Sequence, residues 1–320
     1  IAWLCQEREC NIARAIQALE ETWPSESGEM RESITRIAAE CPRPEDEIWL
    51  QKLALKDRRQ SVRQAAVRAL LQLPQSAFAD RARARLLKLI RLKRHLTLDI
   101  PDTYDDVWEQ DGIQIKAPGN YGQKAWWARQ ILAQNPITSW AEALDLGIPD
   151  LVELKIDEDW RELVYDAWID SAQQVPSESF LIHFLPKKLR GKKVMRASDC
   201  YVSQLPSLFG VLPVEAVARV LESIQIEAPL TLDLLARFKP EVGAAHRHLN
   251  KVIRSWLREK RSEANRSTAE SLAYCVAPEA FKPLLLDIAS MPSLSSAAET
   301  FARTLEFRQS YIPHLNRSPS

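Results

Sequence analysis

Asp99, Asp102, Asp105, Asp106, Glu109 and Asp111 crowd one short stretch of the chain, and clustered carboxylate oxygens are what a hard divalent cation requires. The stretch lacks the mid-loop glycine and closing glutamate of an EF-hand, and Asp102 is also placed to cap a helix from Thr103 to Gln110. A solvated, capped acidic helix is the simpler reading. Just before it, Arg81, Arg83, Arg85, Lys88, Arg91, Lys93, Arg94 and His95 make a basic helix from about Ala77 to Leu96, with Leu86, Leu87, Ile90 and Leu96 as its apolar face. Such a helix suits phosphate or anionic lipid, but the adjoining acid offers internal neutralisation. A second basic cluster, Lys187, Lys188, Arg190, Lys192, Lys193 and Arg196, sits in a loop around Gly191 and is the better candidate contact for an anion or acidic partner. Trp126 and Trp127 are adjacent, so on a helix their rings point roughly 100° apart. Either one lines a groove or interface, or the helix is covered on two sides and buries both.

The remaining reactive residues do not assemble into a centre. His246 and His248 would lie roughly 200° apart on a helix. Cys5 and Cys10 have no nearby histidine, and His-Glu-x-x-His, Cys-x-x-Cys and Gly-x-Ser-x-Gly are all missing from the sequence. No catalytic residue, metal ligand or cofactor is assigned. The five cysteines are odd in number and scattered, as expected of thiols in a reducing cytoplasm.

Composition narrows the class. The 43 basic and 43 acidic residues cancel, so no global field draws the chain to nucleic acid or membrane. Only 8 of 320 residues are glycine, which argues against phosphate-binding Rossmann and P-loop folds and for an all-α protein. No apolar run is long enough to span a bilayer. The sequence opens on Ile1 inside a helical pattern, and the natural protein is expected to extend further towards its N-terminus.

The clearest positioning element runs from Ile48 to Leu73. A first helix carries Ile48, Trp49, Leu50, Leu53 and Leu55. After a charged turn holding Asp57, a second carries Val62, Ala66, Ala69, Leu70 and Leu73 at the spacing of one apolar face. Asp57 is placed to cap the second helix, and Arg63 sits beside the stripe. Asp57, Val62, Arg63, Ala66 and Leu70 form a signature like that of a HEAT repeat, the stacking unit of α-solenoids. Upstream, residues 1 to 22 read as one amphipathic helix with Trp3, Leu4, Ile12, Ile16 and Leu19 facing a core. Downstream, helices are expected at Gln123, through Trp140, and over Asp157–Gln174. The implied domains are HEAT-like hairpins over 1–98, an acidic Gly/Pro-containing insertion over 99–121, a helical array over 122–312 and a disordered tail over 313–320.

A wider pattern resembles an uncharacterised bacterial HEAT-repeat-like family. Asp57, Arg58, Val62 and Arg63 match its D-R-x-x-x-V-R turn, and Leu73, Pro74 and Ser76 its L-P-x-S break. Asp111, Gly112 and Ile113 match its D-G-I segment, and Trp126 and Trp127 its Trp-Trp helix. Members are typically encoded beside a MoxR-type AAA+ ATPase, a von Willebrand A-domain protein and a SWIM zinc-finger protein. The resemblance implies a cytoplasmic accessory that binds such protein partners. The expected function is thus a non-enzymatic α-solenoid scaffold. The alternative is a HEAT-like DNA-binding protein or DNA glycosylase, with the basic helix as cradle and Trp126 or Trp127 with Asp105 or Asp106 at the site. Balanced charge counts against it.

Overall fold

The computed structural model describes residues 2–119, 121–189, 208, 212, 216, 219–220, 253–254, 257, 266–276 and 278–315. The chain divides into two compact units, Ile1–Ser177 and Glu178–Ser320. The described residues are mostly helical, with one two-stranded sheet, so the protein is all-α in class. Arg190, Lys192, Lys193, Arg196, His246 and His248 lie outside the described residues.

The N-terminal unit begins with two helices where one was expected, α1 (Ala2–Cys10) and α2 (Ile12–Thr22). Asn11 divides them, because its side chain accepts the Arg14 N–H (3.1 Å) and so starts a new helix. The break turns Trp3 outward at 47% exposure, while Leu4, Ala15 and Leu19 are buried. Helix α3 (Gly28–Glu40) starts at Ser27, whose hydroxyl accepts the Met30 N–H. The next helix is composite: a 3-10 turn at Pro44–Asp46, an α turn at Glu47–Trp49 (α4) and a π-helical segment at Leu50–Ala54. Trp49, Leu50 and Leu55 are buried, whereas Ile48 points to solvent at 69% exposure. Helix α5 (Gln60–Leu71) packs against α3, the π segment and α6 (Ala77–Leu89).

The basic helix stops seven residues short of its expected end. Ile90 takes extended backbone (φ −91°, ψ 144°), and Ile90–Leu92 (β1) pairs antiparallel with Leu96–Leu98 (β2) around Lys93, Arg94 and His95. Alternation wins over helical periodicity here because Leu96 and Leu98 are buried while the turn keeps its cations in solvent. Leu96 is fixed on its far side as well. Its N–H donates to the Lys155 carbonyl (2.8 Å), and its carbonyl accepts the Asp157 N–H (3.0 Å).

The acidic segment also differs from expectation. Its helix, α7, covers only Val107–Gln110, and Asp102 pairs with Lys124 (2.6 Å) instead of capping it. There follow α8 (Gln123–Ala133), α9 (Ile137–Leu144), α10 (Ile148–Glu153) and α11 (Glu158–Gln174), the last capped by Asp157. Aromatic pairs in this unit include Trp23 against Trp49 (5.8 Å between centroids) and Trp140 edge-on to Trp168 (5.7 Å).

In the C-terminal unit the described helices are α12 (Glu178–Leu189), α13 (Arg266–Cys275), α14 (Pro278–Ala289) and α15 (Ser296–Leu315). Helix α15 packs on α13 and α14. Arg308 lies over the Phe281 ring (4.8 Å) and donates to the Val276 carbonyl (2.8 Å) just past the end of α13. Among the described residues, no helix is long and apolar enough to cross a membrane.

Candidate functional site

The repeat-signature residues divide between the turn before α5, which Asp57 and Arg63 hold, and the buried face of that helix. Val62, Ala66 and Leu70 are fully buried. Asp57 is buried too, and its carboxylate accepts the N–H of Arg59 (2.8 Å), the residue before α5, instead of a helical N–H. Its other oxygen accepts from Arg31 of α3 (2.6 Å). Arg63 reaches back from α5 to the carbonyls of Asp57 (2.7 Å) and Arg58 (3.0 Å). Valine and arginine at 62 and 63 thus divide the work: one fills the core, the other ties down the turn. A parallel knot holds the preceding helix. Buried Asp46 accepts two bonds from Arg8 (2.5 and 2.9 Å), one from the Trp49 indole (2.9 Å) and one from the Arg43 N–H (2.9 Å).

The acidic and basic segments meet at Asp111. Its buried carboxylate accepts Arg81 through two oxygens (2.7 and 3.1 Å) and Arg85 (2.6 Å). Burial pushes this carboxyl up, but hydrogen bonds and charge from Arg81 and Arg85 outweigh it and hold the group below its ordinary value. Arg83 pairs with Glu142 (2.5 Å) and Arg91 with Asp99 (3.1 Å). Arg81 and Arg85 of the basic segment are therefore consumed by a buried carboxylate and Arg83 and Arg91 by exposed ones, while Lys88, Lys93 and Arg94 stay exposed. Gly112 follows at φ +80°, where a Cβ would stand 2.8 Å from Val67, so this turn requires glycine. Tyr104 closes the segment by donating to the Ile113 carbonyl (2.6 Å), and burial, with Glu109, Asp106 and Asp105 nearby, pushes its phenol up to about 12.

That turn forms one wall of a groove. The opposite walls are the outer face of α5, the exposed side of α8 and the end of α11. Two connected hollows of about 330 and 220 Å³ share Gln64, Gly112 and Gln114. Amide side chains dominate the lining. Gln130 pairs with the backbone of Gln114, accepting its N–H (2.7 Å) and donating to its carbonyl (3.1 Å). Arg129 is clamped by Asp170 (2.6 and 3.0 Å) and Asp166 (3.3 Å) and lies over Tyr121 (5.8 Å). Burial works against its charge, yet those carboxylates raise its pKa further. By contrast, the side chains of Gln60, Gln64, Arg68 and Gln114 make no hydrogen bond or ion pair among the described residues. A third hollow, of about 510 Å³, lies between α6 and the stretch from Asp99 to Trp108.

Trp126 and Trp127 take different environments. Trp127 is buried, donates to the Ile115 carbonyl (2.8 Å) and packs among Tyr104 and Trp108. Trp126 is half-buried in the groove wall, edge-on to Tyr121 (5.7 Å), and its indole N–H has no partner among the described residues. Asp105 is spent on the Val107 N–H (3.0 Å), and Asp106 precedes α7. Lys187 and Lys188 end α12 in the other unit. Among the described residues, no group of three or more His, Cys, Asp or Glu is placed to hold a metal ion. The groove residues Gln60, Gln64 and Arg68 were not singled out by sequence, although their four-residue spacing opposite the Val62–Ala66–Leu70 stripe marks them as the outer face of α5.

No curated protein and no solved structure matches the chain. One family does match, over residues 1–315. With nearly its whole length covered, this chain belongs to DUF5691, a family of unknown function.

Proposed function

We propose that this protein is a non-enzymatic scaffold that binds protein partners, built as an α-solenoid of HEAT-like hairpins. Its partners are components of the MoxR-type AAA+ and von Willebrand A-domain system implied by the sequence resemblance, and its setting is the cytoplasm. The observation that carries this reading is the amide-lined groove, an open surface on which the side chains of Gln60, Gln64, Arg68 and Gln114 make no hydrogen bond or ion pair among the described residues. Exposed polar side chains left free beside an indole suit recognition of another chain. The solenoid part draws support from packing order in the N-terminal unit. There α5 contacts α3 and α6, and α6 contacts α8, each with at most one helix between them in sequence, while α8 meets α11 across α9 and α10. The glycosylase alternative is less well supported, because Arg81, Arg83, Arg85 and Arg91 each meet a carboxylate instead of facing a phosphate backbone.

The test is capture of the purified MoxR-type ATPase and von Willebrand A-domain protein encoded beside it by the immobilised full chain. Retention of either, weakened by charge reversal of Lys187, Lys188, Lys192 and Lys193 without change in thermal unfolding, supports the scaffold reading and places the basic cluster in the interface. Retention of neither, with steeply salt-dependent binding of duplex DNA instead, overturns it.

A further inference from the structure

We infer that the groove along α5 holds an extended, acidic peptide segment of the protein partner. This deepens the scaffold reading and rests on it for the partner being a protein. Gln60, Gln64 and Arg68 succeed one another every four residues on the outer face of α5. Four helical residues rise about 6 Å, close to the roughly 6.6 Å between alternate residues of an extended strand. Successive side chains of α5 therefore meet every second residue of a peptide laid alongside.

The chemistry of backbone reading is already present in the fold. The Gln130 amide grips both backbone groups of Gln114, and Gln134 and Gln72 donate to the carbonyls of Asp111 (2.6 Å) and Ala39 (2.7 Å). Gln64 and Gln114 face the groove with the same amide unoccupied.

Charge chooses among peptides. Arg63, Arg68, Lys116 and Arg129 line the two hollows against Glu109 and Asp170. Arg129 is already balanced by Asp170 and Asp166, and Arg63 is bonded only to neutral carbonyls. Three cations thus face a single carboxylate, which favours glutamate or aspartate in the bound segment.

The test is selection of a phage-displayed library of twelve-residue peptides on the full-length protein, then anisotropy titration of the enriched peptides against wild type and the Gln64→Ala/Arg68→Glu double variant. The expected pool is acidic, weakens with added salt, and binds the variant at least tenfold more weakly, while thermal unfolding is unchanged because neither side chain holds the fold. A pool that is neutral or basic, one that binds the variant as well as wild type, or no enrichment over an unrelated helical protein overturns the inference. The outcomes for the two readings separate. Equal capture of the ATPase or von Willebrand A-domain protein by wild type and double variant leaves the scaffold standing and removes the groove. Acidic peptides lost with the variant, without capture of either protein, keep the groove and remove those partners.

Discussion

Replacing Asp111 with alanine isolates the contribution of the junction between the acidic and basic segments. The carboxylate is 3% exposed and takes three hydrogen bonds from Arg81 and Arg85. Removing one partner of a buried ion pair costs about 3–5 kcal/mol, chiefly because the other charge is stranded. Here the two cations differ. Arg81 is 39% exposed and can return to water, whereas Arg85 is 11% exposed and cannot do so cheaply. The expected loss is therefore at the low end, about 3 kcal/mol, equivalent to roughly 6–12 °C in Tm for a unit of this size. Urea unfolding followed by tryptophan fluorescence is the assay, since Trp108, Trp126 and Trp127 all lie nearby. A double-mutant cycle with Arg85→Ala should give a coupling of about 1–3 kcal/mol, with Arg81→Ala coupling more weakly. The pH dependence follows from the depressed carboxyl. In the unfolded chain this group titrates near 3.8. Its contribution is present in full above that pH and is lost as pH falls through the lower folded value, so wild type and Asp111→Asn converge in acid. A midpoint for Asp111→Ala within 0.5 kcal/mol of wild type would refute the claim that this pair fixes the groove wall, the scale being that of an ordinary surface change.

Three further outcomes are expected. Asp46→Asn turns one acceptor into a donor facing N–H groups, at a site of 0% exposure, and should cost about 3–5 kcal/mol in denaturant unfolding; a loss under 1 kcal/mol would mean Arg8 finds another partner. In a spectrophotometric titration, Tyr104 should ionise near 12. Its raised pKa gives stability that is complete below pH 10 and lost as pH climbs towards 12, so Tyr104→Phe should flatten the alkaline decline, and an unchanged decline would show that Tyr104 is not its source. Gly112→Ala places a Cβ against Val67 at positive φ and should destabilise by about 1–3 kcal/mol; a neutral result would mean the turn relaxes freely.

The parts readable from sequence were those governed by nearby residues. The stripe Val62, Ala66, Leu70 declares its buried face because helical periodicity is a local property, and Asp157 declares the start of α11 by type and position. The hairpin after Leu89 was hidden because Leu86, Leu87, Ile90 and Leu96 fit a helical face as well as they fit a strand, and the contact that decides the matter is with Lys155 and Asp157, some sixty residues on. Asp111 presents the same difficulty. Its type fits metal binding, solvation or an ion pair equally, and the selection is made by Arg81 and Arg85 across a turn that depends on Gly112. The groove escaped notice for a different reason: glutamine and arginine on an outer helical face look like ordinary solvated positions until the opposing wall is in place.

The π-helical segment Leu50–Ala54 carries one residue more than an α-helix of the same rise, and the Leu55 N–H closes onto Leu50 across that wider ring (2.9 Å). It acts as a phase adjuster. Removing one residue there would restore ordinary winding but rotate everything immediately downstream by roughly 100° about the axis. Asp57 would swing away from Arg31, and the turn would present a different side to α3. Length variation among related chains should therefore collect in the turns that flank this helix and avoid the helix itself, however exposed Ile48 and Lys52 are on its surface.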